Sequence, residues 1–202
     1  SSAASDVYKR QGRVSGGVDV FLMISAFLMT LSFTGKIERG VRIGWTELTK
    51  YWFHVFKRIM PLVAIIVAGS LVLTRLFVSP DRWLSIMHEA FSVTFYYENW
   101  FSIVNAVDYY ASDSGAASPL RHFWSLSIQG QIFIMWPLLF ALGSLLVRKM
   151  GTKVRPVLAT IFAVVFVASF AFSVYYTYSN QTAAYFNTFA RLWEFAMGSL
   201  AA

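Results

Sequence analysis

The sequence predicts an all-α, polytopic transmembrane helix bundle of about 5 spans plus one interfacial or re-entrant helix. Hydrophobic residues make up 57% of the 202-residue chain and charged residues 13%, against about 25% charged in an ordinary soluble domain. The apolar residues gather in long runs. The cations gather between them, Lys36, Arg39, Arg42, Lys50, Lys57 and Arg58 in one stretch and Arg148, Lys149, Lys153 and Arg155 in another. The net charge of +7 therefore reports orientation, with both stretches cytoplasmic, and no nucleic acid partner is expected. With no cysteine, disulfides, thiolate metal sites and a cysteine nucleophile are excluded. There is no phosphate-binding loop, His-Glu-x-x-His or Gly-x-Ser-x-Gly motif to support an ATPase, a zinc protease or a serine hydrolase, and no metal is expected.

Residues 1–11 have neither the apolar core of a signal peptide nor a helical period, and are expected to be a non-native leader. The run 18–34 is apolar except for Asp19 and Ser25 and has about the minimum length of a span. The run 51–78 carries His54, Lys57 and Arg58 ahead of Pro61, so its uniformly apolar part is 62–73. Such a helix enters hydrocarbon from a basic end, with a kink expected at Pro61. In 81–107, His88, Glu89, Glu98 and Asn99 interrupt Leu84, Ile86, Met87, Phe91, Val93 and Phe95. If both basic stretches are cytoplasmic, this segment starts and ends outside and cannot make one crossing. Either it is re-entrant or interfacial, which its scattered polar residues favour, or one stretch breaks the charge rule. Runs 123–147 and 157–178 are clear spans, and 187–202 begins a further helix with Arg191 and Glu194 near its start. That last run stops without a cap, basic flank or turn, so 12–202 is expected to be a partial domain.

The polar residues that lipid would penalise point to function. Arg121, His122, Ser125, Gln129 and Gln131 crowd the mouth of the apolar run 132–147 and must be satisfied by protein, water or substrate. His122 is either structural or a general base acting on a hydroxyl, with Arg121 beside it to stabilise an anion. Trp124 is either an interfacial belt residue or a sugar-stacking platform. Lys57 and Arg58 are either snorkelling anchors or ligands for the phosphates of a soluble donor. Arg191 and Glu194, three residues apart, are placed to pair. Asp19 has no local partner, and Arg191 is a distant candidate.

Four segments in order resemble the acyltransferase-3 family of membrane proteins, which O-acylate sugars of the bacterial envelope. They are Gly16-Gly-Val-Asp-Val-Phe-Leu-Met-Ile-Ser-Ala-Phe-Leu28, Lys57-Arg-Ile-Met-Pro61, Tyr96-Tyr-Glu-Asn-Trp100 with Asp108-Tyr-Tyr110 leading to His122-Phe-Trp-Ser-Leu126, and Tyr185-Phe-Asn-Thr-Phe-Ala-Arg-Leu-Trp-Glu194 with Gly198. The resemblance implies a multi-pass protein of the bacterial cytoplasmic membrane that takes acetyl-CoA or another acyl-CoA as donor and an envelope glycan as acceptor. On this reading Lys57 and Arg58 hold the donor, and His122 is a supporting catalytic residue. Arg121, Trp124, Ser125, Gln129, Gln131, Asn99, Arg191 and Glu194 contact the acceptor substrate. Membrane lipid is a partner, and an extracytoplasmic SGNH hydrolase-like domain is expected in the full-length protein.

The departures matter too. The family's first helix, with its Arg and the His usually regarded as catalytic, is missing from the resemblance. Val55 stands where an Arg-x-x-Arg pair would place an Arg, and Gln129-Gly-Gln131 stands where Glu-Glu-Gln is common. The rival class is a non-enzymatic transporter or carrier helper for lipid-linked sugar or acid, in which the same polar groups line a passage. An upstream helix with an Arg and a His would separate the two.

Overall fold

The computed structural model describes residues 16–109 and 120–202; the leader expected over 1–11 lies outside them. Among the described residues the chain forms α1 Gly16–Glu38, α2 Trp45–Phe77, α3 Trp83–Thr94, α4 Glu98–Tyr109, α5 Trp124–Met150, α6 Val154–Ser179, α7 Gln181–Phe186 and α8 Thr188–Leu200. Single 3-10 turns at Pro80–Arg82 and Arg121–Phe123 precede α3 and α5. Helices α1, α2, α5 and α6 are long and apolar enough to cross a bilayer. The further helix expected to begin over 187–202 is α8, of 13 residues.

Local sequence sets the helix ends. Asp19 in the first turn of α1 and Lys36 in its last complement the helix dipole. The chain leaves α1 through Gly40 at φ 81° and α5 through Gly151 at φ 65°, left-handed positions that glycine takes without steric cost. Asn180 caps α7 by accepting from the Ala183 N–H, and Asn187 caps α8 by accepting from Phe189 and Ala190. Pro61 lies within α2 without ending it, so the helix continues through the expected kink site.

The two basic stretches meet at one end of the bundle. Arg155, opening α6, pairs with Glu38, closing α1, at 3.0 Å, and Lys36 pairs with Glu47 of α2 at 3.3 Å. The Ile43 N–H donates to Ser144 Oγ of α5 at 3.4 Å. Exposed pairs of this kind stabilise little, but they locate both stretches on the same side, as the charge rule requires.

The segment between α2 and α5 therefore begins and ends at the opposite side. The single helix expected over 81–107 is two, α3 and α4, of 12 residues each, about 18 Å apiece. They join at Tyr96, whose φ of 58° is a region that bulky residues avoid. Neither half is long enough to cross, and the break between them lets the segment return to the side it left. No glycine or proline marks this break, so propensity gives no warning of it.

The core lies between α1, α5, α6 and α8, where Phe33, Trp136, Phe140, Phe162 and Phe195 are fully buried. Phe33 stacks on Phe140 with centroids 4.8 Å apart, and Trp136 lies 5.7 Å from both Phe162 and Phe195. The Trp136 indole N–H donates to Ser199 Oγ at 2.8 Å, and the Ser199 and Thr30 hydroxyls share a bond at 2.9 Å. A smaller cluster of Val63, Ile86, Ala90, Val93 and Leu120 seats α3 on α2.

Close approach of α1 and α8 depends on Gly198, where a Cβ would overlap the Met23 carbonyl. Small residues serve this purpose at membrane helix crossings, where close packing supplies much of the attraction. Backbone cannot yield as a flexible side chain can, so Gly198→Ala is expected to destabilise the bundle by about 1–3 kcal/mol. Gly69 of α2 faces open space, and Gly69→Ala is expected to stabilise by about 0.5–1 kcal/mol through helix propensity. Thermal unfolding of the two variants in detergent should therefore shift in opposite directions; a Gly198→Ala protein melting with the wild type would rule out the close crossing.

Candidate functional site

The buried guanidinium of Arg191 stands at the centre of the site. Its Nη2 donates to Asp19 of α1 and, at 3.2 Å, to Glu194 one turn further along α8. Nη1 donates to the Tyr185 carbonyl at 3.3 Å. The guanidinium carbon also lies 5.2 Å from the centroid of the Trp124 ring and 5.3 Å from that of Tyr185, within cation–π range of both. Four elements, α1, α5, α7 and α8, thus converge on one cation. The Glu194 side chain is 7% exposed and that of Asp19 40%, so the cluster opens to its surroundings on the Asp19 side. The Nε of Arg191 is buried without a hydrogen-bond partner.

A second polar group locks α4 to α5 and to the α7–α8 junction. Gln131 donates from Nε2 to the Tyr96 carbonyl at 2.8 Å and to Asn99 Oδ1 at 2.9 Å. Its Oε1 accepts from the Thr188 hydroxyl at 2.6 Å and from the Trp100 indole at 3.4 Å. Asn99 donates in turn to Thr188 Oγ1 at 2.9 Å and to the Phe186 carbonyl at 3.0 Å. Gln131 thereby uses both ends of its amide, the condition under which a buried polar network specifies one arrangement. Beside it Glu98, 1% exposed, contacts the hydroxyls of Ser92 and Ser102, and its N–H donates to Ser127 Oγ at 3.2 Å.

The expected site residues fall into three sets. Trp124, Gln129, Gln131, Asn99, Arg191 and Glu194 are drawn together on α4, α5 and α8 and are largely buried. Gln129 donates to Ser25 Oγ of α1 at 3.3 Å, which ties it to protein. His122 and Ser125 form the rim: His122 is exposed, and the half-buried Ser125 hydroxyl donates to its carbonyl at 3.4 Å. The Arg121 side chain lies outside the described residues. Lys57 and Arg58 stand apart and exposed on α2, where Lys57 Nζ is 5.9 Å from the Phe53 ring centroid.

The cations of α2 share a level with the glutamines of α5. Phe56, next to Lys57, packs edge-on against Tyr96 at 5.6 Å, and the Tyr96 ring lies on Gly130. The indole of Trp52, a turn earlier, donates to the Phe133 carbonyl at 3.1 Å. Helix α2 runs 33 residues, about 50 Å, so its basic first half reaches well past the start of the bundle. Among the described residues, no three His, Asp or Glu side chains stand together to hold a metal ion.

Sequence reasoning passed over Ser25, Tyr96, Thr188 and the hydroxyl cage of Glu98. Ser25 interrupts an apolar run and Glu98 an ambiguous one, and both were visible as polar breaks. Tyr96 and Thr188 make no such break, and the signal that marks them is their place in the segments Tyr96–Trp100 and Tyr185–Glu194 that resemble the family.

The chain is 28% identical over 187 residues to the O-acetyltransferase OatA of Staphylococcus aureus (strain NCTC 8325 / PS 47), an alignment covering 92% of this chain and 29% of that protein. It is 31% identical over 121 residues to the peptidoglycan O-acetyltransferase OatA of Listeria monocytogenes, covering 60% of this chain and 19% of that protein. The chain therefore spans less than a third of the length of these relatives. No solved structure matches it. Residues 4–202 match the acyltransferase domain of the acyltransferase-3 family, and with its helical bundle and its polar centre at the helix mouths the chain belongs to that family.

Proposed function

We propose that this chain is part of a bacterial cytoplasmic-membrane enzyme that moves an acyl group from acyl-CoA to a hydroxyl of a cell-envelope glycan. Acetyl is the group named for both relatives and peptidoglycan the acceptor named for the one from Listeria. The Arg191 centre carries this reading: a buried cation lies between two carboxylates and against two aromatic rings, at the end of the bundle away from the basic stretches. Aromatic faces suit the apolar faces of sugars, while the carboxylates and amides beside them suit sugar hydroxyls. A carrier could use the same polarity, but membership of a family with an acyltransferase domain favours transfer.

In the reaction the glycan hydroxyl oxygen attacks the thioester carbonyl carbon, the carbon–sulfur bond breaks, and an ester forms as coenzyme A leaves. The hydroxyl proton passes to a base, and the departing thiolate takes up a proton. His122, exposed two residues before Trp124, assists as base or orients the acceptor. Lys57 and Arg58 hold donor phosphates, Arg58 by a bidentate contact and Lys57 as a point charge. The main base is supplied from a helix preceding this chain, and an SGNH hydrolase-like domain follows in the full-length protein.

Three outcomes are expected. The purified 202-residue chain should show no acetyl-CoA-dependent O-acetylation of glycan, whereas membranes carrying the full reading frame should; activity in the isolated chain would remove the need for a further base. In the full reading frame, His122→Ala should lower kcat by about 100-fold, and full glycan acetylation would reject a role for this residue. Lys57→Gln and Arg58→Gln should each raise KM for acyl-CoA by roughly tenfold, the loss of one charge-assisted contact, and leave KM for the glycan unchanged. An unchanged donor KM would mark both as membrane anchors.

A further inference from the structure

The break between α3 and α4 holds a group that the fold does not use. Tyr96 is 7% exposed, and its backbone sits at φ 58°, a conformation that costs of order 1–3 kcal/mol for a non-glycine residue. Its carbonyl accepts from Gln131 at 2.8 Å, and its ring packs on Phe56 of α2. The ring also fills the space beside Gly130, where a Cβ would overlap it. Backbone and ring are thus fully employed. The phenol oxygen is not: it is buried with no hydrogen-bond partner.

A buried, unsatisfied hydroxyl is costly, and phenylalanine would fill the same volume without that cost. Its location argues for a use. The ring sits between α2, one residue from the Lys57 and Arg58 pair, and the Gln129-Gly130-Gln131 turn of α5. At Gly130 that turn has no side chain of its own, and the tyrosine occupies the vacated volume. We propose that the Tyr96 hydroxyl is a further catalytic residue, the donor that binds the thioester carbonyl oxygen of the acyl group. The proposal rests on the acyl-transfer reading above. As the glycan hydroxyl adds to the carbonyl carbon, negative charge collects on that oxygen, and a donor fixed in a water-poor interior stabilises the charge without reorganising. No proton leaves the phenol; it only donates its hydrogen bond, more strongly to the tetrahedral state than to the thioester.

The test is Tyr96→Phe in the full reading frame, assayed in membranes for transfer from acetyl-CoA to a soluble glycan acceptor, with thermal unfolding measured alongside. A purely structural Tyr96 predicts wild-type rates and equal or higher thermal stability, since only an unsatisfied oxygen is removed. The proposal predicts kcat lower by about 100-fold, the loss of one oxyanion donor, with both KM values within twofold and an equal or higher melting temperature. Wild-type kcat in the variant overturns it, as does a fall in activity that tracks a fall in melting temperature. Absence of transfer by the wild-type protein would instead overturn the acyl-transfer reading itself, so the two failures are distinct.

Discussion

The Arg191 guanidinium is the interaction on which the end of the bundle away from the basic stretches depends. A cation within an apolar bundle must be matched by protein, because lipid supplies no acceptor. Here the match comes from α1 through Asp19, from α8 itself through Glu194 and from the chain before α7 ends through the Tyr185 carbonyl. Asp19 lies 172 residues from Arg191 in sequence while the other two partners are local, so satisfying one charge ties α1 to the α7–α8 segment. The Gly198 crossing then sets how closely α1 and α8 approach further along, and Thr30, Ser199 and Trp136 complete the contact with a short hydrogen-bonded chain. The ion pairs at the other end are exposed and worth less; they keep the basic stretches together without determining the interior.

The same requirement explains why the polar residues of α5 do not prevent it from spanning. Gln129 is taken up by Ser25 of α1, and Gln131 by Asn99, Thr188, Trp100 and the Tyr96 carbonyl. In exchange α4 is drawn against α5 and the α7–α8 junction. The Tyr96 break follows: a continuous helix over 83–109 could not place both the Val93 face on α2 and Asn99 against Thr188 unless the chain changed direction between them. The strain of one left-handed tyrosine is offset by a network that a straight helix could not make.

Much of this was legible in the sequence. Composition gave the all-helical bundle, the placing of cations gave the shared side of the two basic stretches, and α1, α2, α5 and α6 fall on the apolar runs with boundaries that differ by one to six residues. Arg191 and Glu194 were readable as a pair from their spacing, and the long-range partner of Asp19 could be suspected because a lone carboxylate in a span needs one. The division of 81–107 was only half readable: scattered polarity argued against a crossing, but the turn rests on Tyr96, whose residue type favours neither a turn nor positive φ. Nor could spacing reveal that Gly130 matters for what fills its absent side chain. Such information resides in contacts between segments more than thirty residues apart, which neither period nor propensity records.

Depth is the remaining constraint on any transfer this bundle performs. On the proposed transfer, the acceptor-side residues are those that cluster where α1, α5 and α8 open, at the end away from the basic stretches, and the donor phosphates arrive from the side of the basic stretches. If Lys57 and Arg58 were at the cytoplasmic mouth, the acyl group would have to cross most of the bilayer beyond them. They are instead 12 and 13 residues into α2, about 18 Å along it, at the level of Gln129 to Gln131. A 33-residue helix is what makes that placement possible, since its first half carries cations through the basic end to the depth of the polar network while its second half keeps an apolar surface for lipid. The length of α2, which a span alone does not need, would thus shorten the distance over which the proposed transfer moves an acyl group.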